Sequence, residues 1–173
     1  MKSILLSMVT VLAFALLTQA EDVTVKINNV HLCCPSCVKG VAKAVAGIEG
    51  VKATADQDAE SVEITGPDKA ALQKAADALV KAGYFGESSD PGIKMDSSTG
   101  AKGVKVQSLK VEGVHLCCGK CVKAVNAALK DVPGVTGNTA EKNAKSFTVT
   151  GDFNDADVFA ALQKTGLTGK AGQ

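Results

Sequence analysis

The 173-residue chain has no tryptophan and one tyrosine, Tyr84. It has no arginine, and its 19 lysines stand against 18 acidic residues for a formal net charge of +1. Binding to nucleic acid calls for a basic excess, and stacking of bases or sugars calls for aromatic platforms. The composition supplies neither. After Leu17 no apolar run approaches the ~20 residues of a spanning helix. Also missing is the dispersed cysteine pattern of a disulfide-stapled secreted domain. All six cysteines and both histidines fall in two heptapeptides, His31-Leu-Cys-Cys-Pro-Ser-Cys37 and His115-Leu-Cys-Cys-Gly-Lys-Cys121. Bridges inside so tight a triplet close tiny loops and constrain the unfolded chain little.

The chain opens with Lys2 and an apolar run from Ile4 to Leu17, followed by Thr18-Gln19-Ala20 and then Glu21-Asp22. This is the pattern of an export signal cut after Ala20. It predicts a periplasmic or extracellular protein with no membrane span in the mature chain. Residues 21–173 suffice for one medium domain or two small ones.

Two copies of one unit are visible. The stretch from Val25 to Cys34 aligns with that from Leu109 to Cys118. CVKGVAKAVAGIEGV, from Cys37, aligns with CVKAVNAALKDVPGV, from Cys121. Ser61–Gly66 aligns with Ser146–Gly151, and ALVKAGYFG with ALQKTGLTG. We therefore expect domains over 21–87 and 103–173, joined by a flexible Ser/Gly/Asp-rich linker at 88–102.

Within the first unit, Val23, Val25 and Ile27 alternate as in a half-buried strand. Val38, Val41, Val45 and Ile48 then recur at helical steps, up to Gly50. Strands follow at 51–55 and 61–65, then a helix from Pro67-Asp68 to Gly83 and a short strand at 84–87. The second unit repeats this with strands at 104–114, 135–140 and 146–150, helices at 118–131 and 155–165, and a last strand near Leu167. The order βαββαβ predicts two tandem ferredoxin-like α+β domains, each with helices on one face of an antiparallel sheet.

Each heptapeptide sits where the first strand hands over to the first helix. The partial positive charge and unpaired N–H groups of a helix start favour a thiolate. Two cysteines spaced CxxC there offer soft donors suited to Cu(I), Zn(II) and other thiophilic ions. The placement, with C-V-x-x-V and a helix ending near P-G-V, resembles the heavy-metal-associated domains. That family includes copper chaperones, metal-pumping ATPase tails and the periplasmic mercury-binding protein. The resemblance covers nearly all of 21–173. It implies that Cys34, Cys37, Cys118 and Cys121 are metal ligands and that Leu32 and Leu116, at the family's loop methionine, pack inward.

Cys33 and Cys117 replace the usual Thr or Ser, and His31 and His115 replace a glycine. Each site thus has up to three sulfurs and an imidazole available. Cys33 and Cys117 read either as further ligands or as small buried residues, and His31 and His115 either as ligands or as strand-end residues bonded to backbone. Tyr84 stands where bacterial members often place a tyrosine near the loop; Leu167 replaces it in the second unit. Lys39, Lys43, Lys120 and Lys123 flank the motifs, as a solvated helix face or as charges that offset thiolates.

The expected function is non-enzymatic: an exported chaperone, scavenger or transport accessory for Cu(I) or Zn(II), with Cd(II) and Hg(II) as alternatives. One ion per domain would bind at an exposed loop and pass to a transporter or acceptor protein. A thiol–disulfide oxidoreductase using CPSC is the competing expectation. The shortness of each unit and the missing Trp stand against it. Adhesion modules with oxidised cysteines are a third.

Overall fold

The computed structural model describes residues 21–96 and 98–172, and the expected export signal at 1–20 lies outside the described residues. The first half runs β1 (Val23–Asn28), α1 (Pro35–Val45), β2 (Lys52–Asp56), β3 (Ser61–Gly66), α2 (Lys69–Lys81) and β4 (Glu87–Ser88). The second runs β5 (Lys105–Glu112), α3 (Gly119–Lys130), β6 (Val135–Asn138), β7 (Ser146–Asn154), α4 (Asp155–Lys164) and β8 (Lys170–Ala171). The sheets have the same antiparallel order, β2-β3-β1-β4 and β6-β7-β5-β8. This is the ferredoxin-like arrangement, twice.

The side-chain periods explain the layers. Along β1, Val25 and Ile27 are buried while Thr24 and Lys26 face water. Cys37, Val41 and Val45 form the buried stripe of α1, one helical turn apart. Asp68 caps α2 by accepting from the Ala71 N–H at 2.7 Å. Each fully buried Val, Leu or Ile contributes about 1.5–3 kcal/mol of apolar transfer. Leu32 and Leu116, 1% and 4% exposed, do pack into the core.

Two features differ from expectation. The last strand of the first domain is Glu87–Ser88 only. Tyr84 instead pairs antiparallel with Leu167 of the other domain. The Phe85 N–H donates to the Gly166 carbonyl at 3.0 Å and the Thr168 N–H to the Gly83 carbonyl at 3.1 Å. The stretch 88–102 is also not a free tether along its whole length. The Ser89 N–H bonds the Lys26 carbonyl, Ile93 is 2% exposed, and Gln73 exchanges two hydrogen bonds with the Lys94 backbone. Ile93 is the apolar anchor that a reading by composition passes over.

Through Tyr84 and Leu167 the two cores join into one continuous buried cluster. The two halves meet at their cysteine-bearing ends. No helix among the described residues is long and apolar enough to cross a membrane.

Candidate metal centre

Each heptapeptide leaves its first strand, bends, and enters a helix with a cysteine at the cap. Cys34 and Cys118 are the N-cap residues of α1 and α3, with extended backbone. Cys37 and Cys121 lie in the first turns and are fully buried; Cys33, Cys34, Cys117 and Cys118 are half-buried. Neighbours in extended backbone point opposite ways. The bent loops offset this: the Cys33, Cys34 and Cys118 sulfurs lie within 4.8 Å of one another, as do those of Cys117, Cys118 and Cys121.

The shortest sulfur contacts run across the domain boundary. Cys33 Sγ lies 3.4 Å from Cys118 Sγ and 3.5 Å from Cys121 Sγ. Cys117 Sγ lies 3.5 Å from both Cys34 Sγ and Cys37 Sγ. The CxxC pairs themselves are 3.7 Å apart for Cys34–Cys37 and 3.9 Å for Cys118–Cys121. Contacts of 3.7 Å for Cys33–Cys37 and for Cys117–Cys121 close a four-sulfur ring of Cys33, Cys37, Cys117 and Cys121. Cys34 and Cys118 flank that ring on opposite edges. The six thiols are free, and their spacings are far beyond the ~2.05 Å of a disulfide.

The loops expected to serve as two separate exposed sites thus form one partly buried cluster. Two triangles of sulfur can be picked out in it: Cys34, Cys37, Cys117 and Cys33, Cys118, Cys121. A tetrahedral ion with metal–sulfur bonds of ~2.3 Å holds its sulfurs ~3.8 Å apart. The triangles are close to that spacing and need only a small expansion to admit an ion.

The histidines are placed unequally. One His31 ring nitrogen lies within 4.8 Å of the Cys33 and Cys121 sulfurs, and its Nε2 is buried without a hydrogen-bond partner. Burial holds the His31 pKa below its ordinary value, so the ring is neutral and has a lone pair to offer. His115 is anchored instead. Its Nε2 lies 3.1 Å from the Tyr84 hydroxyl, which also donates to the Cys37 carbonyl at 2.9 Å. The rings of Tyr84 and His115 lie with centroids 4.6 Å apart. The hydroxyl has spent its one proton on the carbonyl, so it accepts from a protonated His115 Nε2.

Leu167, the counterpart of Tyr84, has no hydroxyl, and this accounts for the unpartnered nitrogen of His31. A second difference between the repeats follows the first. Gly40 stands where the second copy has Ala124, and a Cβ at Gly40 would collide with the Tyr84 hydroxyl. The pairing of Gly40 with Tyr84, and of Ala124 with Leu167, is a sequence signal for this contact that our reading passed over. Of the flanking lysines, Lys120 crosses the boundary, its Nζ 3.4 Å from the Cys33 carbonyl.

The thiols are electrostatically unequal. The Cys121 N–H in the first turn of α3, with the neighbouring thiols and the Lys120 N–H, brings Cys118 down to about 6 against the opposing effect of burial. Burial first, then the Cys118 contact, pushes Cys33 up to about 12. Burial also raises Cys117, and contact with Cys121 raises Cys37. A thiol with a lowered pKa is thiolate above that value and loses reactivity as pH falls through it. Iodoacetamide should therefore modify Cys118 well before Cys33 in the reduced protein. The Cys118 rate should fall to half its plateau near pH 6, as read by peptide mass spectrometry across pH 4–9.

No family model matches the chain. A copper-transporting ATPase 2 of Rhizobium meliloti is 30% identical over 146 residues, which is 77% of this chain and 14% of the ATPase. The chain thus spans about one-seventh of the length of that curated relative. Among solved structures, oxidised MerP of Ralstonia metallidurans is 27% identical, with a TM-score of 0.35, and aligns over 40% of this chain and 100% of its own. The N-terminal soluble domains of Bacillus subtilis CopA are 16% identical, with a TM-score of 0.34, over 88% of this chain and 95% of theirs. In its two CxxC motifs, its twice-repeated element order and the proteins it matches, this chain resembles tandem heavy-metal-associated domains.

Proposed function

We propose that the protein binds soft metal ions, Cu(I) foremost, and passes them to an acceptor by thiolate exchange, without catalysing a reaction. The observation that carries this is the convergence of all six sulfurs into two triangles at near-ligand spacing. Three thiolates suit Cu(I) and, with an imidazole added, Zn(II) or Cd(II). The N-cap cysteines Cys34 and Cys118 are half-buried and offer an entry for an attacking thiolate of a partner. We place the mature protein in the periplasm or outside the cell, on the strength of residues 1–20. Acceptor candidates are metal transporters, since the curated relative is a copper-transporting ATPase. The test is anaerobic titration of the reduced chain with Cu(I) against a chromogenic chelator, repeated with Zn(II), Cd(II) and Hg(II). Uptake of two Cu(I) per chain is expected; no uptake of any of the four ions ends the proposal.

Within this reading His31 is a donor to the second triangle, because its Nε2 is buried without a partner and it lies beside Cys33 and Cys121. His115 is a positioning residue held by Tyr84. His31→Gln should weaken Zn(II) binding by about tenfold or more, while His115→Gln changes it less. Competition with a zinc indicator measures both, and equal effects would return the two histidines to one role.

The lowered Cys118 thiol, 3.9 Å from Cys121, favours thiol–disulfide exchange as a second reading. Insulin reduction by the metal-free protein at a rate comparable to a dithiol oxidoreductase would support it over metal transfer.

A further inference from the structure

We propose that each CxxC pair takes its third sulfur from the opposite domain. Cys34 and Cys37 bind an ion with Cys117, and Cys118 and Cys121 bind one with Cys33. This assignment rests on the soft-metal reading above and specifies its ligand sets.

Three observations carry it. The shortest contacts of Cys33 are to Cys118 and Cys121, at 3.4 and 3.5 Å, shorter than its 3.7 Å contact with Cys37 in its own loop. Cys117 mirrors this, 3.5 Å from Cys34 and Cys37 and 3.7 Å from Cys121. One loop also gathers three sulfurs of its own, Cys117, Cys118 and Cys121 within 4.8 Å of one another, but the contacts of Cys33 and Cys117 across the boundary are the shorter ones. Finally, the domain boundary is built to keep the loops together. The Tyr84–Leu167 pairing is fully buried, and the His31 N–H reaches the Gly166 carbonyl at 3.3 Å.

Each site is therefore completed in trans within one chain, and the two sites share the ring of Cys33, Cys37, Cys117 and Cys121. An ion in either triangle ties the start of one domain's first helix to the cysteine loop of the other domain. Each thiol that binds gives its proton to solvent, and no electron changes hands. A domain parted from its neighbour keeps only its own loop, so separating the domains is a route to releasing the ion.

The experiment uses the full chain in two backgrounds. Cys118→Ser with Cys121→Ser leaves Cys33, Cys34, Cys37 and Cys117. In this background Cys117→Ser should weaken the remaining Cu(I) site by well over ~100-fold, beyond the ~10–100-fold seen when a ligand merely loses its supporting partner, while Cys33→Ser leaves it within a few-fold. Cys34→Ser with Cys37→Ser should reverse the roles. Weakening by Cys33→Ser in the first background, or by neither change, overturns the assignment. The unmutated chain gives an independent measurement. With two equivalents of 113Cd(II), proton–cadmium correlation should link one ion to the β protons of Cys34, Cys37 and Cys117 and the other to those of Cys33, Cys118 and Cys121. Ions correlated with the cysteines of one domain each overturn the trans assignment and leave the soft-metal reading standing. Absence of uptake by the unmutated chain overturns that reading, and the assignment falls with it.

Discussion

Saturating the reduced protein with Cu(I) raises its thermal midpoint by roughly 10 °C or more. The sulfur triangles exist only where two folded domains meet, so an ion that needs three sulfurs prefers the folded state. Free ion at 1,000 times Kd adds about 4 kcal/mol per site. For chains of this size each kcal/mol moves the midpoint by about 2–4 °C. The starting stability is modest, since domains of under 90 residues bury limited apolar surface, which makes the shift easy to see. Calorimetry under argon, with and without Cu(I), measures it, and a strong Cu(I) chelator should reverse it. Stoichiometric binding with an unmoved midpoint would mean that the CxxC motifs bind equally well unfolded, and that the assembled cluster adds nothing.

Most of the fold was legible because its signals are local. Val25 and Ile27 alternate, Val41 and Val45 repeat at a helical step, and Asp68 precedes a helix; each element formed where its pattern lies. The repeat then fixed the second domain by analogy with the first. Recognition that the cysteines form the candidate site was legible for the same reason, since CxxC before a helix is a local pattern with its chemistry attached.

The partnership between the loops was not legible, because it depends on residues far apart in sequence. Nothing local to Cys33 says that its nearest sulfur is Cys118. The terminal segment around Tyr84 read as an edge strand of its own sheet, yet its backbone groups bond Gly166 and Thr168. Alternation over so few residues does not name the partner strand. Residues 88–102 misled by composition: Ser, Gly and Asp outnumber Ile93, but a single buried isoleucine and a few backbone bonds suffice to hold the stretch. The trace that was present lay in how the repeats differ. Tyr84 and Gly40 change together to Leu167 and Ala124, which is what a contact leaves behind when one copy loses it.

Replacing Gly83 or Gly166 with alanine should part the two domains and weaken Cu(I) binding, most strongly when both are changed. Both glycines have left-handed backbone, with φ of +87° and +74°, which costs an alanine about 1–2 kcal/mol. The larger effect comes from what faces them. A Cβ on Gly83 would run into the Gly113 carbonyl and the His115 nitrogen, and one on Gly166 into the His31 nitrogen and the Asn29 carbonyl. All four are backbone atoms of the opposite domain, so no side-chain rotation relieves the clash and the boundary itself must open. Once it opens, Cys33 and Cys117 lose the partners that complete the triangles. Gly50→Ala separates strain from contact. It shares the left-handed backbone at φ +71° but faces only the Pro67 ring of its own domain. That variant should lose stability and keep its affinity for Cu(I). The double variant Gly83→Ala with Gly166→Ala should keep its circular dichroism, expand in small-angle scattering, and bind Cu(I) more than ~100-fold more weakly, since losing a ligand outright exceeds the ~10–100-fold cost of losing a ligand's supporting partner. A double variant that stays as compact as the parent and binds as tightly would show that the boundary yields without disturbing the sulfurs, and that the loops do not depend on it.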